Sequence, residues 1–323
     1  MHDMTGARMM FMRETDRRCR PAILGACAAI VALFAVNAAE GAFFDTAGKS
    51  ARPMGMGEVF LASTGDASGY WYNPAGLSKF EKKSAGLSYG LPMAAISDLS
   101  ISQVTFVTPL SGNMGLGLGV SYGGIDVAND MVISAGYGYA FSERLSIGGN
   151  AKIMRWSVDG QPIRGGAGKD DDLSKTSFSL DLSATMGIGE LFGLGMFSTG
   201  VFVKDAIMPN ISESGDDGGK LPVEAGIGLM MQRGSFLGEF DVAAKDGNTI
   251  FRLGGEALVP NSNLKLRAGG IYGSDFEDDT EKFDIDFGLG YSFGKIAFNY
   301  AYNIPVEIKS SSGKHFFSFG MSF

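Results

Sequence analysis

The sequence predicts an all-β protein: a transmembrane antiparallel β-barrel of fourteen strands with an N-terminal segment that plugs it from the periplasmic side. Three features predict this fold: alternating apolar and polar segments, connections that alternate between short and long, and an N-terminal export signal. Alternation over about ten residues is typical of a strand that crosses a bilayer with one face towards lipid. Soluble sandwich strands have the same period but are usually only about five or six residues long.

The alternating segments fill the chain from residue 85 to its end. The clearest is 114–122, where Met114, Leu116 and Leu118 alternate with glycines, so that one face is wholly apolar. The fourteen segments are 85–91, 99–109, 114–122, 131–141, 145–158, 177–188, 194–205, 221–232, 235–245, 250–260, 264–273, 283–293, 295–302 and 315–323. An even number places both chain termini on the periplasmic side.

The connections give independent support, because outer-membrane barrels alternate short periplasmic turns with longer outside loops. Short links are predicted at 110–113, 142–144, 189–193, 233–234, 261–263 and around Gly294. Longer links are predicted at 92–98, 123–130, 159–176, 206–220, 274–282 and 303–314. Asp246-Gly247-Asn248 is the exception, a tight hairpin where a long loop is expected.

The first 41 residues have the pattern of a secretory signal peptide. A basic region is followed by an apolar stretch, 22–36, and then by small residues, so cleavage is expected after Ala38 or Gly41. The apolar stretch is too short for a comfortable transmembrane helix. The expected organisation is therefore a signal peptide at 1–41, an N-terminal hatch segment at 42–84 and an outer-membrane barrel at 85–323.

Composition argues against catalysis. Cys19, Cys27 and His2 all lie in the predicted signal peptide, which leaves His315 as the one histidine of the mature chain and no cysteine. Zinc sites, thiol nucleophiles and Ser-His-Asp triads need these residue types. We therefore expect no enzyme activity, no catalytic residue, no cofactor and no metal. The chain is also acidic, with a net charge of −8, which argues against nucleic acid as a partner.

The chain ends on an amphipathic strand whose last residue is Phe323. A terminal aromatic residue on such a strand resembles the signal that the barrel-assembly machinery recognises. The barrel-assembly machinery and outer-membrane lipid are therefore expected partners.

If the apolar faces meet lipid, charged side chains point into the lumen on neighbouring strands of the C-terminal half. These predicted lumen residues are Glu239, Asp241, Arg252, Glu256, Lys265, Arg267, Asp284 and Asp286. Adjacent strands lie about 4.8 Å apart, so the residues can pair across the wall. The pairs either compensate charge in a confined interior or form a polar track for a substrate. On the third strand, Gly115, Gly117 and Gly119 leave room for the plug or for a ligand.

The most specific motif lies at 48–80, where the sequence does not alternate. It contains Gly55-Met-Gly57, an Asp66-Ala-Ser turn and Asn73-Pro74-Ala75-Gly76-Leu77. This outline resembles the N-terminal segment shared by the FadL-like fatty-acid transporters and the related PorV/PorQ outer-membrane family. The resemblance implies a hatch inside a fourteen-stranded barrel, with Asn73, Pro74, Ala75 and Gly76 at the plug. Pro74 also excludes Asn73 from helical geometry, and Gly76 permits a tight turn.

Two functions follow from this resemblance, and a third is disfavoured. The first is binding or transport of hydrophobic small molecules such as long-chain fatty acids. The second is a PorV-like barrel that docks secreted proteins for secretion or surface attachment. A general porin is disfavoured by the plug and the paired lumen charges. The predicted outside loops 159–176 and 206–220 are mostly polar, which is a departure from the apolar loops that capture fatty acids.

Overall fold

The computed structural model describes residues 44, 47–63, 65–91, 99–160, 172–213, 215, 219–275, 280–306 and 313–323, so the predicted signal peptide lies outside the described residues. Fourteen strands form a closed barrel. They are β1 Ser84–Leu91, β2 Ser100–Pro109, β3 Met114–Ile125, β4 Ala128–Ala140, β5 Leu145–Val158, β6 Leu173–Leu191, β7 Gly195–Lys204, β8 Glu224–Arg233, β9 Phe236–Lys245, β10 Asn248–Leu258, β11 Leu264–Asp275, β12 Thr280–Phe293, β13 Ile296–Pro305 and β14 Lys314–Ser322.

Each strand pairs antiparallel with its neighbours in sequence, and β1 pairs with β14 to close the barrel. At this seam Ser84 lies opposite Ser322, and Gly90 lies opposite Phe316. Closure leaves no unpaired sheet edge, which is what a wall surrounded by lipid requires. The predicted fold class, an all-β antiparallel barrel of fourteen strands, is confirmed. Among the described residues, no helix is long and apolar enough to span a membrane.

The strand positions agree with the alternation in sequence, but several ends differ. The link predicted at 123–130 is wrong as a long loop, since β3 and β4 are separated only by Asp126 and Val127. Gly124, with φ of +140°, lets the two strands continue pairing almost to the turn. β6 is longer than the predicted 177–188, and β8 begins at Glu224 instead of residue 221. Strand pairing therefore extends beyond the residues that alternate clearly.

The predicted tight hairpin between β9 and β10 is confirmed. Only Asp246 and Gly247 connect these strands, and both have positive φ, +51° and +75°. Two successive residues with positive φ are the requirement of a type I′ turn, whose twist matches that of the flanking strands.

The two faces of the wall differ in polarity. Apolar side chains such as Leu118, Phe178 and Leu253 are exposed on the outer face. Polar side chains such as Asn150 and Asp241 are completely buried on the inner face. Strand alternation therefore places an apolar surface outside and a polar surface inside.

The N-terminal segment, 47–63 and 65–83, lies inside the barrel except for its exposed end at 79–83. It contains a short helix α1, Ala51–Met54, and two 3₁₀ helices, Ala67–Trp71 and Pro74–Lys79. Helix α1 packs on β12, β13 and β14, whereas the second 3₁₀ helix packs on β2 to β6. Ahead of the segment, Phe44 packs with Val132 and Met154, in the half of the barrel nearer the long loops. The segment therefore extends well beyond the short-turn mouth where a periplasmic plug is expected.

Candidate functional site

All eight predicted lumen residues point inward, and three of them, Glu239, Asp241 and Glu256, accept hydrogen bonds from the N-terminal segment. Glu256 is the centre of one cluster, in which its carboxylate meets three cations. Arg52 of helix α1 donates from Nε to Glu256 Oε2 at 3.0 Å, Arg267 Nε donates to the same oxygen at 2.7 Å, and Lys265 Nζ donates to Oε1 at 3.0 Å. Since Arg52 belongs to the segment and the others to the wall, this ion-pair cluster fastens the two together.

Glu239 and Asp241 form a second attachment, made to backbone instead of to side chains. Glu239 accepts hydrogen bonds from the N–H groups of Ala62 at 2.6 Å and of Ser63 at 3.1 Å. Asp241 accepts from the N–H of Phe60 at 3.2 Å. Hydrogen bonds to a carboxylate are about twice as strong as neutral ones. The stretch that they hold pairs with no strand. Glu239 and Asp241 therefore supply the hydrogen-bond acceptors that its backbone N–H groups would otherwise lack.

The remaining predicted lumen residues pair around these attachments. Arg252 Nη2 donates to Glu224 Oε1 at 2.9 Å, and Lys314 Nζ donates to Asp284 Oδ2 at 2.9 Å. Asp286, fully buried, accepts from Asn303 Nδ2 at 2.8 Å. The compensation of charge that the sequence indicates is therefore present, and it accompanies a second role in holding the segment.

The segment also carries its own ion pair. Lys49 Nζ lies 2.7 Å from Glu58 Oε1. Burial alone would raise the pKa of Glu58, but the charges of Lys49 and Arg252 outweigh it and lower that pKa below its ordinary value. Glu58 is therefore held as a carboxylate inside the lumen.

The motif residues Asn73, Pro74 and Ala75 form a compact knot in the segment. Asn73 Oδ1 accepts from the N–H of Ala75 at 3.1 Å, and Asn73 Nδ2 donates to Leu61 O at 2.5 Å. Ala75 N–H also donates to Ser183 Oγ of β6 at 2.9 Å. Asn73 has an extended φ of −147°, as expected before proline, and Pro74 begins the second 3₁₀ helix. The knot therefore joins two stretches of the segment and ties them to the wall.

Asp66 and Gly76 have local roles. Asp66 caps the first 3₁₀ helix by accepting from Ser68 N–H at 2.9 Å. Gly76 lies inside the second 3₁₀ helix and is not among the glycines with positive φ. The turn that the sequence assigns to Gly76 is instead made by Asn73 and Pro74. Proline starts the helix, and the asparagine side chain caps its first turn.

Gly55 and Gly57 bring the segment against the wall. A Cβ on Gly55 would overlap the Cα of Gly288, and one on Gly57 would overlap backbone atoms of Gly270 and Leu253. Gly57 also has a φ of +68°. Any side chain at these positions would force backbone apart.

The inward glycines of β3 to β5 receive the other side of the segment, and we call them the glycine wall. A Cβ at Gly117 would meet Tyr70 and Leu77, and one at Gly148 would overlap the backbone of Pro74 and Ala75. The wall consists of Gly115, Gly117, Gly119, Gly136, Gly138 and Gly148. Of the two occupants that the sequence allows for the β3 glycines, the N-terminal segment is the one in contact.

Sequence reasoning missed several residues that hold the segment. An added Cβ would overlap segment backbone at Gly200, Gly254 and Gly269, close to Leu61 or Met56, and at Gly228 it would overlap the Asp241 carboxylate and the Leu61 Cβ. Asn150 Nδ2 donates to Tyr70 O at 3.0 Å. The sequence signal that could have identified these glycines is their inward position on the strands, which they share with the β3 glycines.

The predicted assembly residue, Phe323, follows the last strand at the closing seam. Its N–H donates to Lys83 O at 2.9 Å, and its ring lies 6.3 Å from that of Phe106. Recognition by the barrel-assembly machinery stays a prediction.

The hollows around the segment are small or polar, and the larger apolar ones are outside. Hollows of about 60 and 100 Å³ touch the segment. A polar one of about 430 Å³ lies at its short-turn end. Apolar grooves of about 990 and 570 Å³ are lined by side chains of the lipid-facing surface. No group of three or more His, Cys, Asp or Glu side chains that could hold a metal occurs in the described part of the chain.

A closed fourteen-stranded barrel with an apolar outer surface and a lumen filled by its own N-terminal segment defines an outer-membrane protein of the FadL-like fold. Residues 67–323 match the family described as type IX secretion system membrane protein PorP/SprF, and the chain belongs to that family. Comparison with curated protein sequences gives no match.

Solved structures support the same fold. The toluene transporter TodX of Pseudomonas putida is 13% identical, with a TM-score of 0.64 over 86% of this chain and 99% of that one. The toluene transporter TbuX of Ralstonia pickettii is 13% identical, with a TM-score of 0.61 over 87% and 100%. A FadL homologue of Pseudomonas aeruginosa is 12% identical, with a TM-score of 0.58 over 85% and 98%.

Proposed function

We propose that this protein is a closed outer-membrane component of a type IX secretion system that docks secreted proteins instead of conducting solutes. Membership of the PorP/SprF family supports the secretion role. The closed state is supported by the attachment of the N-terminal segment to the wall. Arg52 of the segment binds Glu256, and backbone N–H groups of the segment donate to Glu239. Removing one partner of a buried ion pair destabilises a folded protein by about 3 to 5 kcal/mol.

The long-loop end offers a surface suited to docking. After Asp205 the connection between β7 and β8 folds back over the mouth, where Trp156 Nε1 donates to Ile211 O at 2.7 Å. Asn210 pairs with Lys220 in an isolated bridge, and Leu221 is buried against Phe44. The described residues of this connection are therefore anchored to the barrel on the outer side. The other long polar loop, predicted at 159–176, lies mostly outside the described residues.

Transport of hydrophobic small molecules is the second candidate, favoured by the fold shared with proteins described as toluene transporters. A ligand crossing this lumen would have to displace the segment, because the hollows of about 60 and 100 Å³ beside it are smaller than ordinary ligand sites of about 300 to 1,000 Å³. Transport therefore requires a second conformation of the segment.

A secretion assay separates the two functions. Cells lacking the gene are complemented with wild type, with a loop variant in which 209–213 is replaced by Gly and Ser, or with a knot variant carrying Asn73→Ala and Pro74→Ala. We expect the loop variant to retain secreted protein in the periplasm while the purified barrel keeps its heat-modifiable migration. The hydrophobic ligands toluene and a long-chain fatty acid are titrated into each purified barrel in parallel.

Docking predicts no saturable binding of either ligand in wild type or in the knot variant. Saturable ligand binding that is lost in the knot variant, together with normal secretion by the loop variant, would refute docking and support transport.

A further inference from the structure

A polar chamber lies at the short-turn end of the barrel, beside the Glu256 cluster. Its volume is about 430 Å³, which falls within the range of small-ligand sites. Gly234 and Ser235 of the β8–β9 turn and Ser292 near the β12–β13 turn line its rim. Short turns of outer-membrane barrels face the periplasm, so this chamber opens to that compartment.

The wall of the chamber carries an excess of positive charge. Arg52, Lys265 and Arg267 all line it, and all three share the single carboxylate of Glu256. The other carboxylate lining it, Asp66, already accepts from the N–H and hydroxyl groups of Ser68. Three cations thus face two carboxylates that are both engaged. Charges grouped in a recess shielded from bulk water attract an anion more strongly than charges on an open surface.

Arg267 adds a donor that the protein leaves unused. Its side chain is 1% exposed, and its Nε donates to Glu256. Its Nη1 is buried and has no hydrogen-bond partner among the described residues. A Cβ at Gly290 would overlap the Arg267 guanidinium, so the glycine leaves the room that this group occupies. A buried donor without a partner is unfavourable, and an acceptor atom from a ligand would satisfy it.

We propose that this chamber binds a carboxylate that arrives from the periplasm. The group is either a small free carboxylate or an Asp or Glu side chain of a protein segment. The cations are already arranged for a carboxylate, because Arg52 contacts both oxygens of Glu256 through Nε and Nη2, at 3.0 and 3.4 Å. Arginine recognises carboxylates through this planar pair of donors. The proposal does not depend on the docking function and holds equally for a transporter.

The test is a titration of the purified full barrel at low ionic strength with succinate, with an acidic tripeptide and with neutral succinamide. We expect saturable binding of at least one carboxylate probe and none of succinamide. Lys265→Gln should weaken that binding about fivefold to tenfold, because it removes a partly exposed charge-assisted contact. The matched control, Arg144→Gln, makes the same change of charge at another short turn and should leave binding unchanged. Added salt should weaken binding.

Lys265→Gln is the decisive variant because Arg52 and Arg267 still satisfy Glu256 when it is made. Glu256→Gln is a second variant, which removes the competing carboxylate and should tighten probe binding in barrels that keep heat-modifiable migration. Binding of both carboxylate probes supports recognition of the free group, and binding of the tripeptide alone supports a protein segment. Absence of saturable binding to wild type, equal binding of succinamide, or unchanged binding in Lys265→Gln would overturn the proposal.

Discussion

Two opposite parts of the lumen hold the same N-terminal segment by different physical means. The glycine wall, on β3 to β5, accepts the segment by shape, since its inward positions lack the side chains that would occupy the space. The second part, which we call the charged wall, consists of Glu239, Asp241, Glu256, Lys265 and Arg267 on β9 to β11. It holds the segment through carboxylate contacts to Arg52 and to backbone N–H groups.

The difference shows how an irregular segment is fixed inside a barrel. The knotted stretch around Pro74 has its own 3₁₀ helix, so the wall beside it mainly leaves room and adds single hydrogen bonds at Ser183 and Asn150. The stretch 60–63 belongs to no helix or strand, so its N–H groups need acceptors from the wall. Close fit therefore does most of the holding where the segment satisfies its own hydrogen bonds, and charged acceptors are needed where it does not.

The largest effect is expected from filling the glycine wall. Gly148→Val places a side chain on the backbone of Pro74 and Ala75, which cannot turn aside as a flexible side chain can. Overpacking of this kind is unfavourable by about 1 to 3 kcal/mol, and we expect the upper end. The measurement is protease sensitivity within the segment, with Gly273→Val as control because a Cβ there meets only Ile250 at 4.0 Å. Equal protection in both variants would show that shape does not hold the segment.

The charged wall should respond next. Glu239→Gln replaces a carboxylate that accepts from two N–H groups with a neutral amide, and we expect a loss of about 1.5 to 3 kcal/mol. The chain has no cysteine after Cys27, so Ala62→Cys provides a defined maleimide label in this region. Faster labelling is expected with Glu239→Gln than with the exposed control Glu190→Gln. Unchanged labelling would mean that the acidic side chains only compensate neighbouring charges.

The knot couples the two walls and should give an intermediate effect. Asn73→Ala removes the cap on Ala75 N–H and the bond to Leu61 O, and loss of such a cap is unfavourable by about 0.5 to 2 kcal/mol. We expect labelling at position 62 and proteolysis near Pro74 to increase together. Ser78→Ala, which removes one bond within the second 3₁₀ helix and one to Ser146 of β5 but leaves the bond to Leu61 O in place, is the control. An increase at one place only would indicate that the walls hold independent stretches.

The smallest effect is expected from acidification through Glu58. Because its pKa is lowered in the folded protein, its stabilising contribution is present above the ordinary glutamate pKa of about 4.3 and is lost as the pH falls below it. Lys49→Gln removes the nearest opposite charge. The increase in amide hydrogen exchange of the segment between pH 6 and pH 3.5, relative to the intrinsic exchange rates, should therefore be smaller in this variant than in wild type. The same increase in both would assign the response to other carboxylates.

Much of the barrel is determined by the sequence by itself. Alternation such as that of Met114, Leu116 and Leu118 is a local consequence of strand geometry, so strand number, the inward charges and the Asp246-Gly247 hairpin are all predictable. The sequence fails at strand ends such as Ile125 and Ala128, because pairing continues wherever a partner strand is present. No local pattern marks that limit.

Only the tertiary structure decided what the inward residues contact. Local spacing shows that Glu239 and Glu256 face the lumen, but their partners at Ala62 and Arg52 are separated from them by 177 and 204 residues. Glycines such as Gly200 and Gly254 likewise acquire meaning only when Leu61 and Met56 lie against them. Strand periodicity fixes the direction of a side chain, whereas its contact depends on where a distant, non-periodic segment comes to rest. Closure of the barrel around that segment supplies this information.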